Sequence, residues 1–219
     1  MLKGQSLSYN QNGRQIFQNL NFEIAFGTLL NVLGPNGSGK STFLRNMAGF
    51  MPFSTGKLLI NNKDLTNKYD FLAQNIEYIG HLNSLKRQMT ALENLSFWLR
   101  LNGVSHSQYK DFFDIKRFAN CLVERCSEGQ ARRLSLSRLS YSQKRIWLLD
   151  EPDTALDDNS KNIFRELIRN HCLSGGIVIM ATHENFKISD IKTSLIDLET
   201  QYHRQQRDRV SDPFLSGDW

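Results

Sequence analysis

The sequence predicts an α/β domain that is built on a parallel β-sheet and carries a helical insertion. Mostly apolar runs of strand length occur at 28–33, 146–150 and 177–181, as expected for parallel strands buried on both faces. Helical patterns lie between such runs, so strands and helices alternate along much of the chain. From about Thr90 to Arg145 a mainly helical stretch interrupts this alternation.

Short strands separated by turns are expected over residues 1–33. Strand patterns occupy 6–9 and 21–25, and Asn12-Gly13 between them is a typical hairpin turn. The run at 28–33 ends at a glycine and is predicted to be the first strand of the buried sheet. The N-terminal part is therefore expected to be rich in β-structure.

The remaining elements follow the α/β alternation. A helix is expected over 40–48, ended by a glycine, and a strand at 57–60 runs into a turn. Beyond the helical stretch and the strand at 146–150, a helix is expected near 160–172 and a final strand near 195–198.

Bulk properties fit one domain with a sizeable core. The chain has 219 residues, of which 40% are hydrophobic and 22% are charged, as in ordinary folded proteins. The net charge of +5 indicates either an acidic partner or simply a solvated surface. Cys121, Cys126 and Cys172 lack metal or disulfide spacing and are expected to be reduced thiols. No apolar run approaches about 18 residues and no signal-peptide pattern is present, so neither a membrane span nor export is predicted.

A phosphate-binding loop is predicted between the first buried strand and the helix that follows it. Residues 34–41 fit the pattern G-x-x-x-x-G-K-[ST], in which glycines let backbone amides surround phosphates at a helix N-terminus. Lys40 is expected to bridge the β- and γ-phosphates, and Ser41 to ligate Mg²⁺. A chance glycine-rich turn is the alternative, and both flanking elements argue against it. The expected nucleotide contacts are Gly34, Pro35, Asn36, Gly37, Ser38, Gly39, Lys40, Ser41 and Thr42.

Two carboxylates and a histidine are candidates for the chemistry at this loop. The strand at 146–150 ends in Asp150, which is expected to hold the hydrated Mg²⁺, and Glu151 is expected to orient or deprotonate the attacking water. An ordinary acidic turn is the alternative for this pair. His183 follows the strand at 177–181, at the carboxyl edge where open α/β sheets bind ligands, and is expected to contact the γ-phosphate.

Taken together, the motifs resemble those of ABC ATPases, over about residues 1–198. The matching segments are the Walker A loop at 34–42, the signature at 126–130, the Walker B end at 150–152, the D-loop at 154–157 and the H-loop at 181–183. The resemblance implies a P-loop NTPase fold with a RecA-like parallel sheet, an N-terminal antiparallel β subdomain and a small helical subdomain. The expected organisation is one ATPase domain at 1–200, its helical subdomain at about 85–145, and a tail at 201–219.

The resemblance also implies that a second copy of the chain completes the ATP site. In ABC ATPases the serine and glycine of the signature contact the γ-phosphate bound to the other subunit. Ser127 and Gly129, with the adjacent Gln130, are therefore carried over as nucleotide contacts in trans, together with Asp157 of the D-loop.

The chain departs from the family pattern at several positions. Cys126 and Glu128 replace the common leucine and first glycine of the signature, which is still expected to function. His81 stands where the family has the Q-loop glutamine that binds Mg²⁺ and water and senses the membrane partner, and it is carried over as a catalytic residue together with Glu151 and His183. Imidazole accepts a hydrogen bond there but differs in metal preference. The best candidate to stack on adenine is Tyr9, for which local packing in a strand is the alternative.

Within the ABC family, the sequence resembles the ATP-binding subunits that serve cytochrome c maturation. The similarity lies in 78–81, 85–86, 89–97, 146–152 and 174–178, and a histidine at the Q-loop position is itself a feature of that subfamily. It implies a membrane subunit of the CcmB type, and through it CcmC, CcmD and the haem chaperone CcmE. ATP hydrolysis is then tied to release of haem-loaded CcmE.

This resemblance sets expectations for partners and location. No nucleic acid is expected to bind, and membrane contact is expected only through the partner. The location would be the cytoplasmic face of the bacterial inner membrane or, for an organelle-encoded copy, the matrix side of the mitochondrial inner membrane. The alternative functions are the ATPase subunit of a generic small-molecule or lipid exporter and a soluble ABC protein without a transport role.

Overall fold

The computed structural model describes residues 1–198, and the tail predicted at 201–219 lies outside them. Strands and helices alternate along much of the chain, and the strands form two β-sheets. In chain order the elements are β1 (Leu2–Gln11), β2 (Arg14–Ile24), β3 (Thr28–Leu33), α1 (Lys40–Met47), β4 (Thr55–Ile60), β5 (Lys63–Asp64), α2 (Tyr69–Asn75), β6 (Ile76–Ile79), α3 (Ala91–Leu101), α4 (Glu128–Leu136), β7 (Ile146–Asp150), α5 (Asp158–Leu173), β8 (Ile177–Ala181) and β9 (Lys192–Asp197).

The N-terminal strands form a four-stranded antiparallel sheet in the order β2-β1-β4-β5. The predicted hairpin joins β1 and β2, and Asn12 and Gly13 at its turn have φ angles of 50° and 77°. Positive φ at both central residues matches the strand twist in a two-residue hairpin. The hairpin prediction is confirmed, and its strands are longer than expected because the pairing runs from Leu2 opposite Ile24 to Gln11 opposite Arg14.

A five-stranded parallel sheet, in the order β6-β7-β8-β3-β9, forms the centre of the molecule. The three apolar runs predicted to be strands are β3, β7 and β8, and their bounds agree with the prediction. Because the strands are parallel, the segments that follow β3, β6, β7 and β8 all emerge at one edge of the sheet. The phosphate-binding loop, His81, Glu151 and His183 therefore follow strands that end at the same edge.

Both faces of the parallel sheet are covered. Leu30 and Leu148 lie in an apolar cluster with α1 and the antiparallel sheet, whereas their neighbours Leu29 and Leu149 lie in a second cluster with α3, α4 and α5. Successive residues of a strand point to opposite faces, so burial on both sides requires a continuous apolar run. This explains why the central strands were visible in the sequence.

The stretch between β6 and β7 is only partly helical. It contains α3, α4 and short 3₁₀ helices at Ile115–Phe118, Val123–Arg125 and Ser137–Ser140, with turns over much of 102–114. α3 begins with a capping box in which Thr90 and Glu93 satisfy each other's backbone amides. The bounds of a helical subdomain at 85–145 stay a prediction. Within residues 1–198, no helix combines the length and apolar character needed to cross a membrane.

Candidate nucleotide-binding site

The loop between β3 and α1 is shaped by glycines. Gly34 and Gly39 have φ angles of 148° and 96°, which residues with a side chain rarely adopt. A Cβ on Gly34 would lie 2.4 Å from Oγ of Ser38, and one on Gly39 would lie 2.6 Å from Cγ2 of Ile16. Gly39 is also the N-cap of α1. Since it has no side chain to cap the helix, the amides of the first turn remain available to an anion.

Lys40, the first residue of α1, folds back across this loop. Its Nζ donates hydrogen bonds to the carbonyl oxygens of Gly34 at 2.6 Å and Pro35 at 3.3 Å, and its side chain is buried. The ammonium group therefore sits inside the loop in which phosphates are expected. A bound phosphate offers it a charged acceptor in place of two neutral carbonyls.

Ser41 and Asp150 meet across the loop and the end of β7. Oγ of Ser41 donates to Oδ1 of Asp150 at 2.9 Å, and Asp150 is buried. Among residues 1–198, no hydrogen-bond partner reaches the other carboxylate oxygen, Oδ2. Burial raises the pKa of Asp150, and the bond from Ser41 opposes this rise. A hydroxyl beside a buried carboxylate with an unused oxygen is a donor set suited to Mg²⁺.

Glu151 lies between the two predicted histidines. Its Oε1 is 3.1 Å from Nε2 of His183, and its Oε2 is 3.9 Å from Nδ1 of His81. The backbone of Glu151 is left-handed, with φ of 47°, a costly conformation for a residue with a side chain. The fold thus brings together the three residues predicted to be catalytic, around a carboxylate that can accept a proton.

Most residues of the loop, together with Glu151, line a cleft of about 220 Å³; of the predicted contacts at 34–42, Gly34 and Ser38 are not among the lining residues. Two residues that sequence reasoning missed, Arg14 and Ile16 of β2, line it as well. No motif marks them, and only the close approach of β2 to Gly39 places them there. Tyr9 is not among the lining residues: its ring packs 6.2 Å from that of Phe17 and its hydroxyl contacts Sδ of Met51 at 3.4 Å, so the geometry favours local packing.

The signature and D-loop residues lie outside this cleft. Ser127 is the N-cap of α4 and forms a capping box with Gln130, and a Cβ on Gly129 would lie 2.8 Å from the carbonyl oxygen of Ala155. Asp157 is the N-cap of α5. Ser127 and Asp157 are exposed. The structure therefore does not bring these residues to the cleft of their own chain, and their contact with a nucleotide stays a prediction.

Two further polar residues, which sequence reasoning missed, support the site. Asn31, which is buried in β3, donates to Oδ1 of Asn185 at 2.9 Å and to the carbonyl oxygen of Phe186 at 2.8 Å. These bonds fix the segment that follows His183. Arg132 of α4 is also buried, and it reaches the end of β7.

The buried carboxylate of Asp150 is expected to reduce stability when no cation is bound. A raised pKa means that folding disfavours the ionised form, so at neutral pH Asp150→Asn should increase the free energy of unfolding. The increase should disappear as pH falls and the wild-type carboxyl becomes protonated. Thermal melts without nucleotide should show a Tm raised by a few degrees, and addition of Mg-ATP should stabilise the wild type but not the variant. An unchanged or lowered Tm at neutral pH would contradict this.

A glycine loop between a buried strand and a helix, facing a carboxylate at the end of a neighbouring strand, defines the P-loop class of nucleotide-hydrolysing domains. The family model described as ABC transporter matches residues 17–154, and the chain belongs to the ABC transporter family. The chain is 35% identical to the cytochrome c biogenesis ATP-binding export protein CcmA of Albidiferax ferrireducens, with 88% of this chain and 94% of the relative covered. The CcmA protein of Saccharophagus degradans is 34% identical, with 98% and 99% covered.

Solved structures have the same fold. An ATP-binding protein of a putative ABC transporter from Pyrococcus furiosus superposes with a TM-score of 0.75 at 23% identity, covering 91% of this chain and 98% of that one. The ATP-binding cassette MJ0796, in a dimeric post-hydrolysis state bound to ADP and Pi, superposes with a TM-score of 0.65 at 25% identity, covering 84% and 88%. The predicted fold class is therefore confirmed.

Proposed function

We propose that this chain is the ATP-hydrolysing subunit of an ABC complex in cytochrome c maturation. The observation that carries the ATPase activity is the carboxylate of Glu151, which lines the cleft of the phosphate-binding loop and lies 3.1 Å from His183 and 3.9 Å from His81. The maturation role is supported by CcmA relatives that are 34–35% identical over nearly the whole chain. Both observations are needed, because the geometry supports ATP hydrolysis, whereas the relatives support its use in cytochrome c maturation.

Different residues of the cleft have different roles in hydrolysis. The loop amides and Lys40 bind the β- and γ-phosphates. Ser41 and Asp150 would hold Mg²⁺, which when bound would neutralise charge on the phosphates. Glu151 accepts the proton of the attacking water. His183, which lies 3.1 Å from that carboxylate, orients it and contacts the γ-phosphate.

A second copy of the chain is proposed to close the site. Ser127 is exposed at the N-terminus of α4, where backbone amides and the helix dipole favour an anion. The solved cassette MJ0796 is a dimer bound to ADP and Pi, which supports the same arrangement here. Each ATP would then lie between the phosphate-binding loop of one copy and the signature of the other.

The membrane partner is proposed to be a subunit of the CcmB type, and through it CcmC, CcmD and the haem chaperone CcmE. Two apolar side chains are available for such a contact: Leu82, next to His81 in the sequence, is 85% exposed, and Leu92 on α3 is 42% exposed. The carboxylate of Glu151 lies 3.9 Å from His81. The chain would be held at the cytoplasmic face of the bacterial inner membrane, or at the matrix face in a mitochondrion.

His81 is expected to transmit the state of the membrane partner. His81→Ala should bind ATP normally but lose the stimulation of hydrolysis by the membrane subunits and the release of haem-loaded chaperone. ATPase rates of the isolated chain and of the reconstituted complex decide this. His106→Ala, which removes an exposed histidine from the segment between β6 and β7, is the matched control.

The outcomes separate the possible roles. An equal proportional loss in the isolated chain and in the complex would place His81 in the chemistry, and no loss in either would make it a bystander. If the wild-type chain assembles with and is stimulated by a different exporter subunit but not by CcmB, the generic exporter alternative would replace the maturation role.

A further inference from the structure

Arg132 occupies an unusual place on the signature helix α4. It is 3% exposed, and all three nitrogens of its guanidinium donate hydrogen bonds. Nη1 donates to a carbonyl oxygen and to a side-chain amide oxygen, whereas Nε and Nη2 donate to carbonyl oxygens. The acceptors are O of Pro152 at 3.0 Å, O of Gly80 at 3.0 Å, Oδ1 of Asn83 at 2.8 Å, O of Asp150 at 2.9 Å and O of Glu151.

Three of these bonds fix the backbone around Glu151. The guanidinium holds the carbonyl oxygens of residues 150, 151 and 152, on both sides of the Glu151 Cα. Glu151 has a φ of 47°, a costly conformation that persists only where its surroundings impose it. The direction of the Glu151 side chain follows from this backbone, which Arg132 holds together with the bond from the Glu151 amide to the carbonyl oxygen of Ala181 at 3.0 Å.

The other two bonds fix the loop that carries His81. The acceptors at Gly80 and Asn83 lie on either side of that histidine, and Oγ of Ser135, also on α4, donates to the carbonyl oxygen of Asn83 at 3.0 Å. Two residues of α4, Arg132 and Ser135, therefore bind this loop, and Arg132 also binds the end of β7. A single side chain holds the signature helix, the His81 loop and Glu151 in one fixed relation.

The chemistry of the side chain suits this role. A guanidinium has five donors in a rigid plane, whereas an ammonium is a compact group that cannot reach acceptors spread over two segments. Burial lowers the pKa of Arg132, and the carboxylates of Asp150, Asp153 and Glu151 act in the opposite direction. The charge is thus held among acceptors and acidic neighbours.

We propose that Arg132 is a positioning residue for ATP hydrolysis, which acts by holding Glu151 in its left-handed conformation against the His81 loop. The proposal rests on the ATPase function proposed above. It predicts a loss that appears in kcat rather than in KM, because Arg132 does not line the nucleotide cleft. It also predicts that the effect of Arg132 passes through Glu151.

The test measures Mg-ATP hydrolysis by the full chain carrying Arg132→Gln or Arg132→Lys. Both variants should lower kcat by about 100-fold with KM changed less than about threefold, since a displacement of about 1 Å in a reacting group has an effect of this size. Because removal of a buried arginine can impair folding, Asn83→Gly is a milder second variant. Asn83 has a φ of 57°, so glycine keeps the backbone while it removes one acceptor of Arg132. Its kcat should fall roughly threefold to tenfold.

The same substitutions in the Glu151→Gln background separate positioning from general damage. If Arg132 acts through Glu151, then neither Arg132→Gln nor Asn83→Gly should lower the residual single-turnover rate further. Loss by the same factor in both backgrounds would overturn the proposal. The control for lost stability is Ile168→Val, which makes one fully buried side chain of α5 smaller. This variant should keep the wild-type kcat.

The outcomes for the two proposals differ. A wild-type chain without ATPase activity would contradict the proposed function itself. If the wild type is active, and neither Asn83→Gly nor a folded Arg132→Lys variant changes kcat, only the role of Arg132 is overturned.

Discussion

Glu151→Gln is expected to lower the rate of ATP hydrolysis by roughly 10² to 10⁴, the usual contribution of a general base. The amide has nearly the same size as the carboxylate, but it cannot accept a proton from the attacking water. It also loses the charged partner of His183, which lies 3.1 Å from Oε1. ATP binding should persist, because the phosphates are held by the loop and by Lys40 rather than by Glu151.

The second consequence is a trapped dimer. With hydrolysis blocked, ATP should hold two copies together, and size-exclusion chromatography should show a dimer that appears only with Mg-ATP. Glu166→Gln removes an exposed carboxylate from α5 and is the control, for which rate and elution should match the wild type. Near-normal turnover of Glu151→Gln would show that another group activates the water.

Ser127→Arg is expected to abolish hydrolysis while nucleotide binding to the isolated monomer stays nearly intact. Ser127 is an exposed N-cap and does not line the cleft of its own chain, so its substitution should affect only the nucleotide of the partner. An arginine there places a large side chain where the two copies meet. Binding of a fluorescent ATP analogue to the monomer, beside steady-state ATPase activity, separates the two effects.

Mixing Ser127→Arg with Lys40→Ala gives the sharper result. In the mixed dimer one composite site carries both lesions and the other carries neither, so each inactive variant restores the other. If chains exchange freely and sites act independently, half of the dimers are mixed and the activity should reach about a quarter of wild type. Ser127→Arg mixed with Gly129→Arg is the control, because each mixed dimer then has a lesion in both sites. Inactivity of the first mixture would contradict independent composite sites.

The sequence was sufficient for the central strands but not for β6. β3, β7 and β8 are continuous apolar runs, and their burial on two faces leaves a local signature. β6 carries Glu77, whose buried carboxylate pairs with Arg138 far along the chain and also accepts a hydrogen bond from Ser142. A charge in a strand argues against burial until its distant partner is known. The short helix α2 buries only Leu72 and was missed for a similar lack of local signal.

Some residues of the candidate site could likewise be predicted from the sequence, and others could not. Residues expected to contact a phosphate or a cation occur in short motifs or at strand ends, so Lys40, Ser41 and Asp150 could be selected from the sequence. Residues that support them have no motif. Asn31 and Arg132 act on carbonyls more than 15 residues away in sequence, and only the folded topology brings these groups together.

The roles proposed for the signature and the D-loop depend on a second copy of the chain. Ser127 and Asp157 each cap a helix within their own chain, which explains their local conformation. A capping role alone does not require a glycine at 129, where a Cβ would lie 2.8 Å from the Ala155 carbonyl oxygen. Close packing of the signature on the D-loop therefore restricts this position independently of any partner.

The most direct test of the proposed role is made in cells whose own copy of this gene is replaced by Glu151→Gln. The account predicts loss of mature c-type cytochromes, with the haem chaperone accumulating in its haem-loaded form, because ATP hydrolysis is needed for release rather than for loading. Haem staining of membrane and periplasmic proteins measures both. Normal levels of mature c-type cytochromes, with no haem-loaded chaperone retained, would contradict the account.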